Sequence, residues 1–249
     1  MQLATTVTPA AGAAVSVGAT VLPPVVLLHG FSSSGEEDFT ATGWPASLAA
    51  AGRTAILVDL PGHGANAAIA DPSEATTSAV VAAIADAVAG SGVEAPSFDV
   101  VGYSLGARLA WELPAATGGR VRRLVLGGLS PFEPFAAVDP AELAEAIAGT
   151  GAPTNPVTGM MAAMIQAPGR DTASLARLIT GLASEPFEPA TGAPGVPTLF
   201  VAGEGDPMSQ GVEALIELVP DARLDRVPGD HRGALDSPEF RATTIAFLA

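Results

Sequence analysis

Phe98-Asp99-Val100-Val101-Gly102-Tyr103-Ser104-Leu105-Gly106 is the stretch on which the reading of this chain turns. An apolar run (Phe98, Val100, Val101) leads into Gly-x-Ser-x-Gly, and a helix-like stretch, Ala107 to Ala116, comes after it. That is the local pattern of a sharp strand-to-helix turn that lifts a serine hydroxyl out of the fold. Glycines at 102 and 106 let the backbone crowd together there. With 28 glycines in 249 residues, so short a pattern also arises by chance. Its weight comes from the flanking strand and helix and from two further pieces nearer the C-terminus.

Downstream, Pro197-Thr198-Leu199-Phe200-Val201-Ala202 reads as a buried strand and ends in Gly203-Glu204-Gly205-Asp206-Pro207. Asp206 therefore sits just past a strand end. Further on, Val227-Pro228-Gly229-Asp230-His231 puts a histidine in a polar loop before a final helix starting at Ser237-Pro238-Glu239. Ser, Asp, His is the chain order such a turn requires. A serine hydroxyl attacks only when a neighbouring base takes its proton, so Ser104 is the candidate nucleophile and His231 the candidate base. Asp206 is the candidate carboxylate that holds the ring tautomer and stabilises the imidazolium. The two rivals are weaker by position. Asp230 adjoins His231 in sequence, which makes the ring contact awkward, and Glu204 lies earlier in its loop. The other two histidines, His29 and His63, each precede a glycine in a loop.

Upstream, Val25-Val26-Leu27-Leu28 and Ala55-Ile56-Leu57-Val58 are continuous apolar runs, as in strands buried on both faces of a parallel sheet. Asp71-Pro72-Ser73-Glu74 looks like a helix start, with Asp71 as cap and Glu74 reaching back to it. Val80, Val81, Ile84 and Val88 would form the apolar face of that helix. Residues 3–8 and 13–21 suggest an opening β-hairpin. Val121 to Gly127 is a further strand, and strands alternating with helices predict an α/β, doubly wound, mostly parallel sheet of eight strands. Residues 131–190 change character, rich in Pro and Gly and without a strong strand. They read as a short cap inserted after the sixth strand, with 1–130 and 191–249 forming the core.

The composition narrows the function classes. The chain is 48 % hydrophobic and 15 % charged, which suits a globular protein with a large core. No apolar run approaches the ~18 residues of a membrane span. The first residues lack a basic stretch followed by an apolar one, so a secretory signal is not expected and cytoplasmic is the default. The absence of cysteine removes thiolate chemistry and disulfides. All 11 basic residues are arginine, so lysine Schiff-base chemistry is also removed. A net charge of −15 repels nucleic acid and anionic membranes. The expected partner is a small-molecule substrate, with the oligomeric state open.

Over nearly its whole length the chain resembles the α/β-hydrolase family. The matching pieces are His29-Gly30-Phe31, Asp59-Leu60-Pro61-Gly62-His63-Gly64, Gly102-Tyr103-Ser104-Leu105-Gly106, Gly203-Glu204-Gly205-Asp206 and the late His231. The resemblance implies that the backbone amides of Phe31 and Leu105 form an oxyanion hole. It also reads His29 and His63 as scaffold or pocket-lining residues and makes 131–190 the cap. Flexible methionines and aromatics suit an adaptable apolar pocket, so Phe132, Phe135, Met160, Met161 and Met164, with His29 and Tyr103, are the candidate substrate contacts. The implied activity is hydrolysis of a carboxylic ester with an apolar acyl or alcohol group through an acyl-enzyme, with no metal and no organic cofactor. Two other functions fit the same scaffold. One is a lyase similar to the menaquinone-pathway succinyl-hydroxycyclohexadiene carboxylate synthase, with Arg108, Arg170 and Arg177 as candidate carboxylate binders. Ala107 stands where that family has glycine, and the apolar cap argues against a tricarboxylate. The other is a binding protein that keeps the pocket without turnover.

Overall fold

Val25–Leu28 (β2) and Ala55–Val58 (β3) are buried at every position, which a strand achieves only when both faces of its sheet are covered. They run parallel, Val25 beside Ala55 through Leu28 beside Val58. On the other side of β2 lies Phe98–Tyr103 (β4), and outward from it come Val121–Gly127 (β5), Thr198–Gly203 (β6) and Ala222–Val227 (β7), all parallel. Thr5–Thr8 (β1) closes the opposite edge, antiparallel to β3. The order is therefore β1-β3-β2-β4-β5-β6-β7 in this computed structural model, which describes residues 1–12 and 22–249. The sheet holds seven strands among the described residues rather than eight. The first arm of the expected opening hairpin pairs with β3, and the second arm, 13–21, lies outside the described residues.

Alternation along each strand sorts the core into two layers. Val26, Leu28, Ile56, Val58, Val100 and Leu124 face one side, packed under Thr77–Gly90 (α2) and Leu105–Ala116 (α3). Val25, Leu27, Ala55, Leu57, Val101 and Val125 face the other, with Trp44 and Leu48 of Trp44–Ala50 (α1) and Phe240 and Leu248 of Pro238–Leu248 (α9). The sheet is doubly wound, as the alternating pattern predicts. The start of α2 differs in detail. Asp71 caps only a single 3₁₀ turn, Pro72–Ala75, and the α-helix begins afresh behind Thr76, whose hydroxyl accepts from the Ala79 amide. Glu74 reaches the Ala70 amide rather than Asp71.

Between β5 and β6 come three helices, Pro140–Ala148 (α4), Pro156–Ile165 (α5) and Thr172–Ser184 (α6). Each starts behind an Asp or Asn whose side chain accepts from the first-turn amides: Asp139, Asn155 and Asp171. Leu143, Met161, Ile165, Leu175, Leu178 and Leu182 join the same core layer as α2 and α3. Near the amino end of β4, the central strand, Asp99 is fully buried, but Arg53 and Arg122 both bond its carboxylate, which compensates its desolvation. No helix among the described residues is long and apolar enough to cross a membrane.

The chain runs from β2 to β3 on one side and then returns to β4 on the other. In parallel sheets the crevice beyond the carboxyl ends at such a reversal is where ligands bind. The two loops that leave those ends are His29-Gly30-Phe31 and Ser104.

Candidate active site

Ser104 sits at φ 53°, ψ −113°, a backbone conformation that costs a non-glycine residue strain. The surroundings enforce it. The Ser104 amide donates to the Gly127 carbonyl at 2.8 Å, and the Ser104 carbonyl already accepts the first helical bond of α3 from Arg108. A Cβ on Gly102 would overlap the Gly106 carbonyl, and one on Gly106 would overlap that of Leu28. Both flanking glycines are therefore required by close backbone approach.

His231 is the first residue of His231–Asp236 (α8), behind an Asp230 cap. Its Nδ1 lies 2.9 Å from Asp206 Oδ2. A carboxylate there takes an Nδ1–H, which leaves Nε2 free as an acceptor. Asp206 is nearly inaccessible and is also held by the Met208 amide and the Ser209 hydroxyl, each at 2.8 Å. Burial alone would raise its carboxyl, but the His231, Ser209 and Met208 contacts together outweigh burial and keep it below the ordinary carboxylate range. Glu204 and Asp230 take no part in this contact. Glu204 is exposed, and Asp230 accepts from the Gly233 amide at the start of α8. Ser104 Oγ and His231 face the same cavity without a hydrogen bond between them among the described residues. Such contacts are often long in a free enzyme.

The loop after β2 is fastened on both sides of Phe31. The Gly30 amide donates to Asp38 Oδ2 at 2.8 Å, and the Ser32 amide donates to His63 Nε2 at 2.9 Å. Among the described residues the Phe31 and Leu105 amides find no acceptor within the fold. Two uncommitted donors bordering the cavity beside Ser104 can receive a developing oxyanion.

The cavity, of about 100 Å³, is walled by Phe31, Leu105, Phe132, Phe135, Met160, Met161 and Met164, with Ser104 and His231 at one end. Phe31 meets Phe135 edge to face at 5.4 Å. Phe132, 73 % exposed, and Met160 stand at the rim, while Met161 is buried. Leu129, Phe187 and Met208 add to the wall, as does Arg108. Met208 lies two residues past Asp206 in the turn that carries the carboxylate, so the motif itself could have pointed to it. Ser209 was legible in the same way, as an Asp-Pro-x-Ser turn whose hydroxyl bonds back to the aspartate.

One expected substrate contact is corrected and a second is placed differently. His29 borders neither cavity at Ser104: it is fully buried, its Nδ1–H donates to the Gly30 carbonyl at 2.8 Å, and its Nε2 accepts from the Leu60 amide at 2.9 Å. Tyr103 lies beside the serine and lines a neighbouring cavity instead of the apolar one; its hydroxyl donates to the His231 carbonyl. Burial, with Asp206 nearby, pushes that phenol's ionisation up, so it stays a neutral donor. His29 and His63 are both kept neutral, with burial as the leading cause. The His63 imidazolium is pushed down to about 3, to which the neighbouring His29 contributes. Both histidines are struts. They fasten the loop after β2 to Asp59-Leu60-Pro61-Gly62-His63-Gly64, and Asp59 in turn accepts from the Gly35 and Ala65 amides.

The sequence model of the Alpha/beta hydrolase family matches residues 25–243, and the chain belongs to that family. Among solved structures it is similar to a hydrolase from Pseudomonas aeruginosa PA01, at 21 % identity over 99 % of this chain and 94 % of that one, with a TM-score of 0.70. MenH from S. aureus is similar at 20 % identity over 98 % and 97 %, TM-score 0.70. A thermophilic esterase from Thermogutta terrifontis matches at 21 % identity over 98 % and 91 %, TM-score 0.70. At these identities the likeness is one of fold. No curated protein matches the chain in sequence.

Proposed function

We propose that the chain is a serine hydrolase that cleaves a carboxylic ester with an apolar acyl or alcohol group through an acyl-enzyme. The observation that carries this reading is the convergence, on one apolar cavity, of a serine on an enforced turn, a histidine whose other nitrogen is held by a buried carboxylate, and two unpaired amides. Ser104 Oγ attacks the ester carbonyl as His231 Nε2 takes its proton. The oxyanion forms toward the Phe31 and Leu105 amides. His231 then returns the proton to the leaving oxygen, and a water repeats the cycle on the acyl-enzyme. In this reading residues 131–190, with Phe132, Phe135 and the three methionines, are a cap that shields the acyl group.

The lyase reading needs arginines that can grip carboxylates, and each of the three candidates already bonds a group of the protein. Arg108 pairs with Glu133 at 2.7 Å and also donates to Thr77 and to the Leu182 and Glu185 carbonyls. Arg170 is engaged by Glu37, and Arg177 donates to the Ile69 carbonyl.

A fluorophosphonate probe, with intact mass as the readout, tests the reading. One adduct is expected on the wild-type protein and none on Ser104→Ala, which also loses turnover of a nitrophenyl ester by a factor of about 10⁶. An unlabelled wild-type protein, or a Ser104→Ala protein that keeps a tenth of the activity, would remove Ser104 from the mechanism.

A further inference from the structure

A second cavity, of about 230 Å³, shares Phe31, Ser104, Met164 and His231 with the apolar one. Its remaining wall is mixed: beside Gly30, Tyr103 and Leu235 it carries the polar Ser32, Ser33, Glu37, Asp38, Arg170 and Arg232. The charges in that wall cancel locally. Both Nη atoms of Arg170 grip the Glu37 carboxylate, at 2.8 and 2.7 Å. Arg232 bonds Asp38 Oδ1 at 2.6 Å and Asp236 at 3.2 Å. In the apolar cavity the one formal charge, Arg108, is matched by Glu133. Apart from the catalytic histidine, each charged side chain bordering either cavity thus sits against its opposite.

A wall of paired charges offers a ligand polar edges but no net charge. A carboxylate or an ammonium entering it would have to displace one partner or lie against its like. A neutral hydroxyl meets neither obstacle, since it can donate to a spare carboxylate lone pair and accept from a guanidinium N–H. The buried Nε–H of Arg170 still lacks an acceptor.

Building on the serine-hydrolase reading, we propose that this cavity receives the alcohol half of the ester and that this half is neutral and hydroxylated, a polyol rather than an acid or a quaternary amine. The chemistry suits that division. When Ser104 Oγ bonds the acyl carbon, the carbon–oxygen bond to the alcohol breaks and His231 gives that oxygen its proton. The apolar acyl group stays on the serine, held by Phe and Met side chains. The second cavity releases the alcohol and admits the water, whose oxygen then bonds the acyl carbon as its proton passes to His231; the bond to Ser104 Oγ breaks and His231 returns the proton to that oxygen.

The test is a set of four butyrate esters with one acyl group and different alcohols: glyceryl, ethyl, choline and glycolate. The glyceryl ester is expected to exceed each of the others in kcat/KM by about tenfold, the worth of one or two hydrogen bonds realised with one substrate only. If none of the four is turned over, the hydrolase reading fails and this inference falls with it. If the ethyl, choline or glycolate ester matches the glyceryl ester, the hydrolase reading stands and this inference alone is overturned. Two charge variants localise the alcohol by the ratio between substrates. Glu37→Gln leaves Arg170 uncompensated and should raise the glycolate-to-glyceryl ratio about fivefold, while Arg170→Gln should raise the choline-to-glyceryl ratio by a similar factor. Ratios that do not move in either variant place the alcohol elsewhere.

Discussion

Asp206 shows how a single carboxylate is prepared for its place. Three donors converge on it, the His231 ring, the Ser209 hydroxyl and the Met208 amide, and together they hold it ionised despite burial. Replacing it by asparagine presents an N–H where His231 needs an acceptor and favours the wrong ring tautomer. Asp206→Asn should therefore lower kcat toward a given ester by a factor of about 10⁴. Asp230→Asn keeps the acceptor for the Gly233 amide, and Glu204→Gln changes an exposed side chain, so both should retain most of the activity. Steady-state rates on the three purified variants decide the matter, and a full loss at Glu204 with a mild effect at Asp206 would reverse the assignment.

At the scale of elements, the site depends on how closely α3 approaches β2. Gly106 lies in the first turn of α3, and a methyl group there would overlap the Leu28 carbonyl. Backbone cannot yield as a flexible side chain can, so Gly106→Ala should cost more than about 3 kcal/mol and leave little soluble protein. The last residue of α2 is the control. Gly90 is exposed, and a Cβ there meets nothing within 4 Å. Gly90→Ala should stabilise by roughly 0.5 to 1 kcal/mol, because alanine loses less backbone entropy in a helix. Urea midpoints of the wild type and both variants check the pair, and equal effects at the two glycines would refute the close approach as the cause.

For the whole molecule, the buried histidines set the acid limit. His63 takes a proton only near pH 3 in the folded protein, against about 6.5 for an ordinary histidine. Between those values the unfolded chain binds a proton that the native state refuses, so stability falls as pH drops below about 6.5 and keeps falling toward 3. His29, also depressed, adds to the effect in the same direction. Each histidine contributes a slope of up to about 1.4 kcal/mol per pH unit. Denaturant midpoints between pH 7.5 and 5.5, well above the isoelectric point near 4.3, should decline on the acid side. His63→Gln should be less stable at pH 7.5 yet show a shallower decline. An unchanged slope in that variant would mean that His63 is not the source.

The sequence by itself determined what depends on local backbone and on the alternation of elements. Four-residue apolar runs specified β2 and β3. Gly102 and Gly106 specified the turn at Ser104, because only glycine tolerates that crowding, and the order Ser, Asp, His along alternating strands and helices specified a doubly wound sheet. Tertiary structure decided what depends on groups far apart in the chain. Tyr103 adjoins Ser104 in sequence and His29 lies two residues before Phe31, yet each turns its polar atoms to a backbone partner away from the apolar cavity, and direction is not encoded by neighbourhood. The three helices between β5 and β6 carried their own caps at Asp139, Asn155 and Asp171, but only their packing against α2 and α3 turned Met161 into a wall of the site. The cancellation of charge around the second cavity joins Glu37 to Arg170 and Asp38 to Arg232 across more than a hundred residues each. Charge pairing is a property of distance in space, and composition, which counts charges without placing them, could not show it.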